Sequence, residues 1–236
     1  FAHYHFMDPH DMYVGHPGTP KMGKGARGLY NGEIHFTDEH VGKLIDFVDA
    51  QPWGKHTAII ISADHGETFG EHGMYRHGFE LWQELIHVPL WLRIPGNKAR
   101  QITTPRSGID LAPTILELLG VPMHGGFQGV SLVAELKGAD AKERPVVADL
   151  ARTSDNDRRR AIIVGNHKLI AFGDDEYFEL FDIVADPKEQ KDLASKDKEL
   201  FAKMKKHYDD ASKTIKDVCP KMTEKLTRFV RVIVDD

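Results

Sequence analysis

Ser62-Ala63-Asp64-His65-Gly66-Glu67-Thr68-Phe69-Gly70-Glu71-His72-Gly73 is the stretch on which the reading of this chain turns. It follows Thr57-Ala58-Ile59-Ile60-Ile61, a short β-branched run between polar residues, which predicts a fully buried strand. Asp64 and His65 then fall where that strand ends and a glycine-rich loop begins. Open α/β sheets hold ligands and metals at the carboxyl ends of their strands. A carboxylate beside an imidazole in that place suits half of a divalent-metal site, with Gly66, Gly70 and Gly73 allowing close backbone approach. The alternative is an Asp64 that caps a following helix beside a surface His65. This segment alone leaves both open.

Outward from this loop, the predicted elements alternate. Val41, Leu44, Ile45 and Val48 repeat at helical spacing, predicting a helix over 30–51 that Pro52 ends. A short helix is expected at 79–86 and a strand at 88–94, with Pro89 in its first residues. A further helix over 110–119 is expected to start at Asp110, carry Pro113 in its first turn and turn Leu111, Ile115, Leu118 and Leu119 to a core. Upstream, Phe1 to Met7 alternate like a strand that runs into the turn Asp8-Pro9-His10-Asp11. No charged leader or apolar signal core precedes them, so the expectation is a chain that opens inside a domain.

The character changes near residue 145. Val146-Val147-Ala148 is strand-like, and 161–164 and 168–172 flank Gly165-Asn166 as a hairpin. Another strand is expected over 177–183 and a helix over 196–216, with Leu200, Met204, Tyr208, Ala211 and Ile215 on one face. The predicted class is therefore α/β over residues 1–144, a sheet flanked by helices, with a small antiparallel α+β subdomain over 145–236. Arg158-Arg159-Arg160 is read as a solvated or inter-domain feature rather than a phosphate clamp.

Composition limits the function classes. The 236 residues are 41% hydrophobic, enough for a real core, and the net charge of −5 offers no basic field for nucleic acid. No run reaches the ~18 apolar residues of a membrane span. The single cysteine, Cys219, excludes an internal disulfide framework and is read as an incidental thiol. Any anion must therefore be met locally. Among 14 histidines, His10 and His65 follow predicted strand ends and His77 lies just past the glycine loop, so the three can share one pocket. His3 and His5 lie on one face of the predicted first strand.

These residues resemble a known family. The ordered succession Asp8-Pro9-His10-Asp11, Gly32-Glu33-Ile34, Val41-Gly42-Lys43-Leu44, Ser62-Ala63-Asp64-His65-Gly66-Glu67, Gly70-Glu71-His72-Gly73 and His77-Gly78 is similar to the sulfatases of the alkaline phosphatase superfamily. The likeness continues through Val88-Pro89-Leu90, Ile109-Asp110-Leu111-Ala112-Pro113-Thr114, Glu179-Leu180-Phe181-Asp182 and Asp186-Pro187. It implies an alkaline-phosphatase-like central sheet, present in part, and a sulfuric ester hydrolase acting on a small-molecule or carbohydrate sulfate ester. Asp64 and His65 match metal ligands. His10 matches a histidine that contacts the substrate's anionic group and is a candidate acid for the leaving group, and His77 matches a second catalytic, substrate-binding position. The family's usual metal is calcium, an ion that prefers oxygen ligands, so an imidazole at 65 keeps Mn2+, Zn2+ and Mg2+ open.

Two elements of the family's pattern are absent from these residues, the nucleophile and the first metal-binding aspartates. The formylglycine nucleophile, made from a Cys/Ser-x-Pro-x-Arg motif, has no match, since Cys219-Pro220-Lys221-Met222 does not fit it. The resemblance places it upstream, in a missing N-terminal part or another chain. Two other functions compete. A phosphonate monoester hydrolase or phosphodiesterase would use the same residues on another tetrahedral anion, and a non-catalytic binding module would keep the fold alone. Specificity would come from loops 11–28, 97–106 and 123–130, where Met12, Tyr13 and Phe127 are candidate contacts to an aglycone or sugar but are read first as exposed or core-packing residues. Localisation is open.

Overall fold

The structure, a computed structural model, describes residues 1–152 and 156–215. In chain order it comprises helix α1 (Gly25–Asp49), strands β1 (Ile59–Ser62), β2 (Thr68–Phe69) and β3 (Tyr75–Arg76), and the short helix α2 (Gln83–Ile86). Strand β4 (Leu90–Arg93) and helices α3 (Leu111–Leu118) and α4 (Val133–Leu136) follow. The chain then forms β5 (Val146–Leu150), β6 (Arg159–Val164), β7 (His167–Phe172), β8 (Tyr177–Asp182) and helix α5 (Lys198–Ser212).

The later half holds most of the core. β5 to β8 form an antiparallel sheet in sequence order, with Val164 opposite His167 across the turn Gly165-Asn166. Gly165 adopts φ +58°, a conformation glycine takes without a Cβ clash, and the hairpin closes where the sequence predicts it. Strand alternation divides the side chains between two faces. Ala161, Ile170, Phe172 and Phe181 pack against Leu81, Trp82 and Leu85 around α2. Ile162, Val164, Leu169, Ala171 and Leu180 pack against Met204 and Tyr208 of α5. Asp197 starts α5 by accepting the Leu200 N–H at 2.9 Å, satisfying one of the free donors of the first turn. The helix ends at Ser212, so Ile215 is not on its apolar face as expected. Cys219 lies outside the described residues.

The arginine run serves ion pairs between elements. Arg158 meets Asp175, Arg159 meets Glu80 at 2.9 Å and Arg160 meets Asp149 at 2.7 Å.

The earlier half departs from expectation in several places. Residues 1–7 form no strand and are exposed, because alternation specifies a strand only where a neighbouring strand supplies hydrogen bonds. β1 pairs antiparallel with β4, Ile60 opposite Leu92, but Ile59 to Ile61 are only half-buried and not fully buried as the apolar run predicts. The third departure is at α3, whose buried positions are Pro113 and Thr114, while Leu119 is exposed. Thr114 makes that face polar: its hydroxyl donates to the Asp110 carbonyl at 2.7 Å and accepts from Leu132 N–H at 2.9 Å. Asp110 is buried too, closing a capping box with Ser107 and pairing with Arg144.

Helix α1 begins five residues before its predicted start and runs through glycines. At Gly28 a Cβ would lie 2.4 Å from the Gly23 carbonyl carbon, so the turn that enters the helix needs a glycine there. The preceding loop lies against α1, where Thr37 donates to the Asp8 carbonyl and His16 stacks on Phe36. Glu33, wholly buried, accepts the Val14 N–H at 2.6 Å and ties the loop down.

Candidate active site

Four sequence positions were expected to meet, and the structure brings three of them together. His65 follows β1 and is fixed by its neighbour. Gly66 donates its N–H to the Leu85 carbonyl at 2.7 Å, and a Cβ at 66 would lie 2.0 Å from the Glu84 carbonyl oxygen. The close approach that this glycine permits is thus to α2. The chain then forms the β2–β3 hairpin, Thr68 opposite Arg76, with Gly70 at φ +114° and Gly73 at φ +72° in its turn. One hairpin out and back returns His77 to His65. Their rings stack at 4.1 Å, and His10, from the loop before α1, lies 5.0 Å from His77 and 6.1 Å from His65.

The hydrogen bonds set the chemistry of the three rings. His10 Nδ1 meets the Asp11 carbonyl at 2.6 Å and His65 Nδ1 the Gly66 carbonyl at 2.9 Å. A carbonyl oxygen only accepts, so each ring carries its proton at Nδ1 and presents Nε2 outward. His77 Nδ1 lies 3.1 Å from both oxygens of Glu67, which assigns the same tautomer. One ring nitrogen of each histidine lies within 4.8 Å of those of the others. Neutral, such a set offers lone pairs to a cation; protonated, it offers N–H donors to an oxyanion.

Glu67 is the residue that motif reading left without a role. It is nearly buried, orients His77 and accepts the Tyr13 hydroxyl at 2.6 Å. Burial, reinforced by the Glu67 carboxylate, pushes the Tyr13 hydroxyl well above the usual tyrosine range, so it stays a donor. Its ring packs against Tyr30 and Phe69 at 5.6 and 5.5 Å. Tyr13, a candidate substrate contact from its loop position, therefore braces Glu67. Met12 and Phe127 are exposed.

Asp64 stands apart from the three-histidine cluster. Its side chain is 69% exposed, and Oδ1 is 3.9 Å from His65 Nε2 while accepting the His65 N–H at 3.0 Å. Partial burial acts to raise its carboxyl, but backbone donors and the imidazoles of His65 and His5 outweigh it and hold the group below the usual carboxylate range. Asp64 is thus an ionised, accessible oxygen donor next to an imidazole nitrogen, a donor pair that suits a divalent metal.

Comparison with known proteins places the chain. The sulfatase family model matches residues 1–121. The chain belongs to the sulfatase family. A second model, N-sulphoglucosamine sulphohydrolase, C-terminal, matches residues 70–214. The chain is 30% identical over 198 residues to a choline-sulfatase of Rhizobium meliloti, covering 80% of this chain and 38% of that protein. A solved structure of a protein in complex with its substrate D-glucosamine-2-N,6-O-disulfate superimposes with a TM-score of 0.66 at 25% identity, over 86% of this chain and 45% of that one. A phosphonate monoester hydrolase from Silicibacter pomeroyi shares the fold, with a TM-score of 0.67 at 23% identity, over 80% of this chain and 40% of that one. The chain thus spans less than half the length of the relatives it matches. The fold is a partial sulfatase α/β arrangement with a C-terminal antiparallel sheet. Family membership implies a divalent metal, and no helix among the described residues is long and apolar enough to cross a membrane.

Proposed function

We propose that this chain carries the anion-binding half of a sulfuric ester hydrolase whose substrate is a sulfated small molecule or carbohydrate. The observation that carries the reading is the convergence of His10, His65 and His77 around one point, each with Nδ1 engaged by a carbonyl or carboxylate oxygen. A tetrahedral sulfate group bridged by such nitrogens has its oxygens neutralised as charge develops on them. His10 and His77, protonated at Nε2, donate to the ester oxygens, and His10 hands its proton to the departing alcohol oxygen. Glu67 holds the His77 ring in register.

Asp64 and His65 would hold the divalent metal, Ca2+ or, given the imidazole, Mn2+, Zn2+ or Mg2+. When bound, the metal supplies Lewis-acid polarisation of the sulfate oxygens. The nucleophile belongs, in this reading, to a formylglycine segment outside these 236 residues, in an N-terminal part or another chain. That segment would also cover the half-buried β1–β4 pair, where Leu90 and Trp91 are 39% and 46% exposed. The glucosamine disulfate bound by the structural neighbour supports a carbohydrate sulfate as substrate. The domain division proposed is 1–144 for the catalytic portion and 145–236 for the C-terminal subdomain.

The decisive experiment is Asp64→Ala, alongside His77→Ala, in the full-length protein, with metal content and aryl sulfate turnover measured together. Loss of both in Asp64→Ala, and loss of turnover with metal retained in His77→Ala, is expected. Unchanged metal and unchanged turnover in Asp64→Ala would overturn the reading. Faster turnover of an aryl phosphonate monoester than of an aryl sulfate would transfer the site to the phosphonate hydrolase branch, whose fold the chain shares.

A further inference from the structure

A second cluster lies on the other side of the His10 loop. Asp8, His16 and Glu33 each bring one ligand atom within 4.8 Å of the others. Glu33 is wholly buried; the backbone N–H groups of Val14, bonded to Oε1, and of His10 act on its carboxylate, but Oε2 meets no donor in hydrogen-bond geometry among the described residues. A buried, unpaired carboxylate oxygen is costly and calls for a proton or a cation. His16 Nε2 is also buried without a hydrogen bond, although Asp8 Oδ2 is only 2.8 Å away. Two polar atoms that close, yet not aligned along an N–H···O line, stand as ligands do when both face a third centre. The His16 ring is held by stacking on Phe36 at 3.8 Å and 7°, and Thr37 donates to the Asp8 carbonyl at 3.2 Å. The donors are therefore preset by α1.

We infer that Asp8, His16 and Glu33 form a binding site for a first-row divalent cation, distinct from the Asp64–His65 pair. One imidazole and two carboxylates suit Zn2+ or Mn2+ better than calcium, which disfavours nitrogen. Two carboxylate charges match a divalent ion, so the buried Glu33 is neutralised by binding. The ion joins both ends of the 8–16 loop to α1. His10 lies between those ends, so a bound cation clamps the loop that presents it. This inference does not rest on sulfate ester hydrolysis.

The test uses the chain stripped with chelator and titrated with Zn2+ by calorimetry, with metal content measured after gel filtration. To silence the three-histidine cluster and its neighbouring donor, His65→Ala/His77→Ala/Asp64→Ala is the background. That variant is expected to retain one equivalent of Zn2+ and to melt at higher temperature with the ion than without it. Adding His16→Ala is expected to abolish both the equivalent and the thermal shift. Glu33→Gln, which keeps the acceptor for Val14 and guards against misfolding, is expected to lose the equivalent with its circular dichroism unchanged. A background variant that binds no Zn2+, or a stoichiometry untouched by His16→Ala and Glu33→Gln, would overturn the inference and leave a protonated Glu33 in its place. Neither outcome bears on the Asp64 experiment.

Discussion

The two halves of this molecule divide stability and chemistry between them. Over residues 146–212, the strands present apolar side chains to two faces, and both faces are covered, one by the α2 region and the other by α5. Over residues 1–144, the three histidines and Glu67 are assembled on loops, the Asp8–His16–Glu33 cluster joins a loop to α1, and the two-stranded β1–β4 pair stays half-exposed. The hydrophobic free energy of folding scales with area removed from water, so it is concentrated in the later half. The earlier half is held by polar devices: the Asp110–Arg144 pair, the Thr114 bonds and the Glu33–Val14 bond. Loops carry sites where a scaffold holds them, and here the scaffold contact runs through Leu81, Trp82 and Leu85.

The sharpest way to break this contrast is at Lys168 and Glu189, both wholly buried and 2.7 Å apart on the sheet face toward α2. Burial lowers the Lys168 ammonium, and the Glu189 carboxylate opposes that shift. Lys168→Ala strands a buried carboxylate and is expected to cost about 3–5 kcal/mol in urea unfolding. Lys168→Met with Glu189→Gln, which keeps an acceptor for the Gln83 N–H, should recover most of it. A single-variant cost under about 1 kcal/mol would show that water reaches the pair.

Matched truncations compare the two sheets directly. Leu169→Ala, at a fully buried position, is expected to cost about 3 kcal/mol. Ile60→Ala, at a half-buried one, should cost about 1 kcal/mol because less apolar area is lost. Equal costs in the same denaturation assay would remove the asymmetry.

The smallest effect is electrostatic and pH-dependent. The N–H groups of Ala185 and, after a small opposing burial effect, Val184 hold the Asp182 carboxyl below its ordinary 3.8. A depressed carboxylate contributes stability that is complete above its unfolded value and lost as pH falls through the folded one. Asp182→Ala is therefore expected to cost about 1 kcal/mol at neutral pH and nothing once the wild-type group is protonated. Melting curves from neutral to strongly acidic pH should converge; parallel curves would refute the assignment.

Local signals were legible where local physics decides. The two-residue turn at Gly165-Asn166, the α5 face carrying Met204 and Tyr208, and the strand ending before Asp64 follow from spacing and turn chemistry. The meeting of His10, His65 and His77 was anticipated from their positions at element ends. Other features had no sequence signal. Lys168 reads as one polar residue in an apolar strand, and its partner is 21 positions away with nothing to mark it. Tyr13 and Glu67, 54 positions apart, became a pair only when the loop carrying Tyr13 settled against α1, where Val14 bonds Glu33.

By itself, then, the amino-acid order determined the family, the hairpins and helices, and the residue types available for binding an anion or a cation. Those follow from periodicity, turn stereochemistry and side-chain chemistry, which act over a few residues. Only the tertiary structure decided that residues 1–7 find no strand to pair with among the described residues, that Asp64 is exposed while three imidazoles gather, and that Glu33 is buried with one oxygen unpaired among those residues. Each of these depends on which distant segment arrives alongside, and burial, pairing and desolvation exist only once it has.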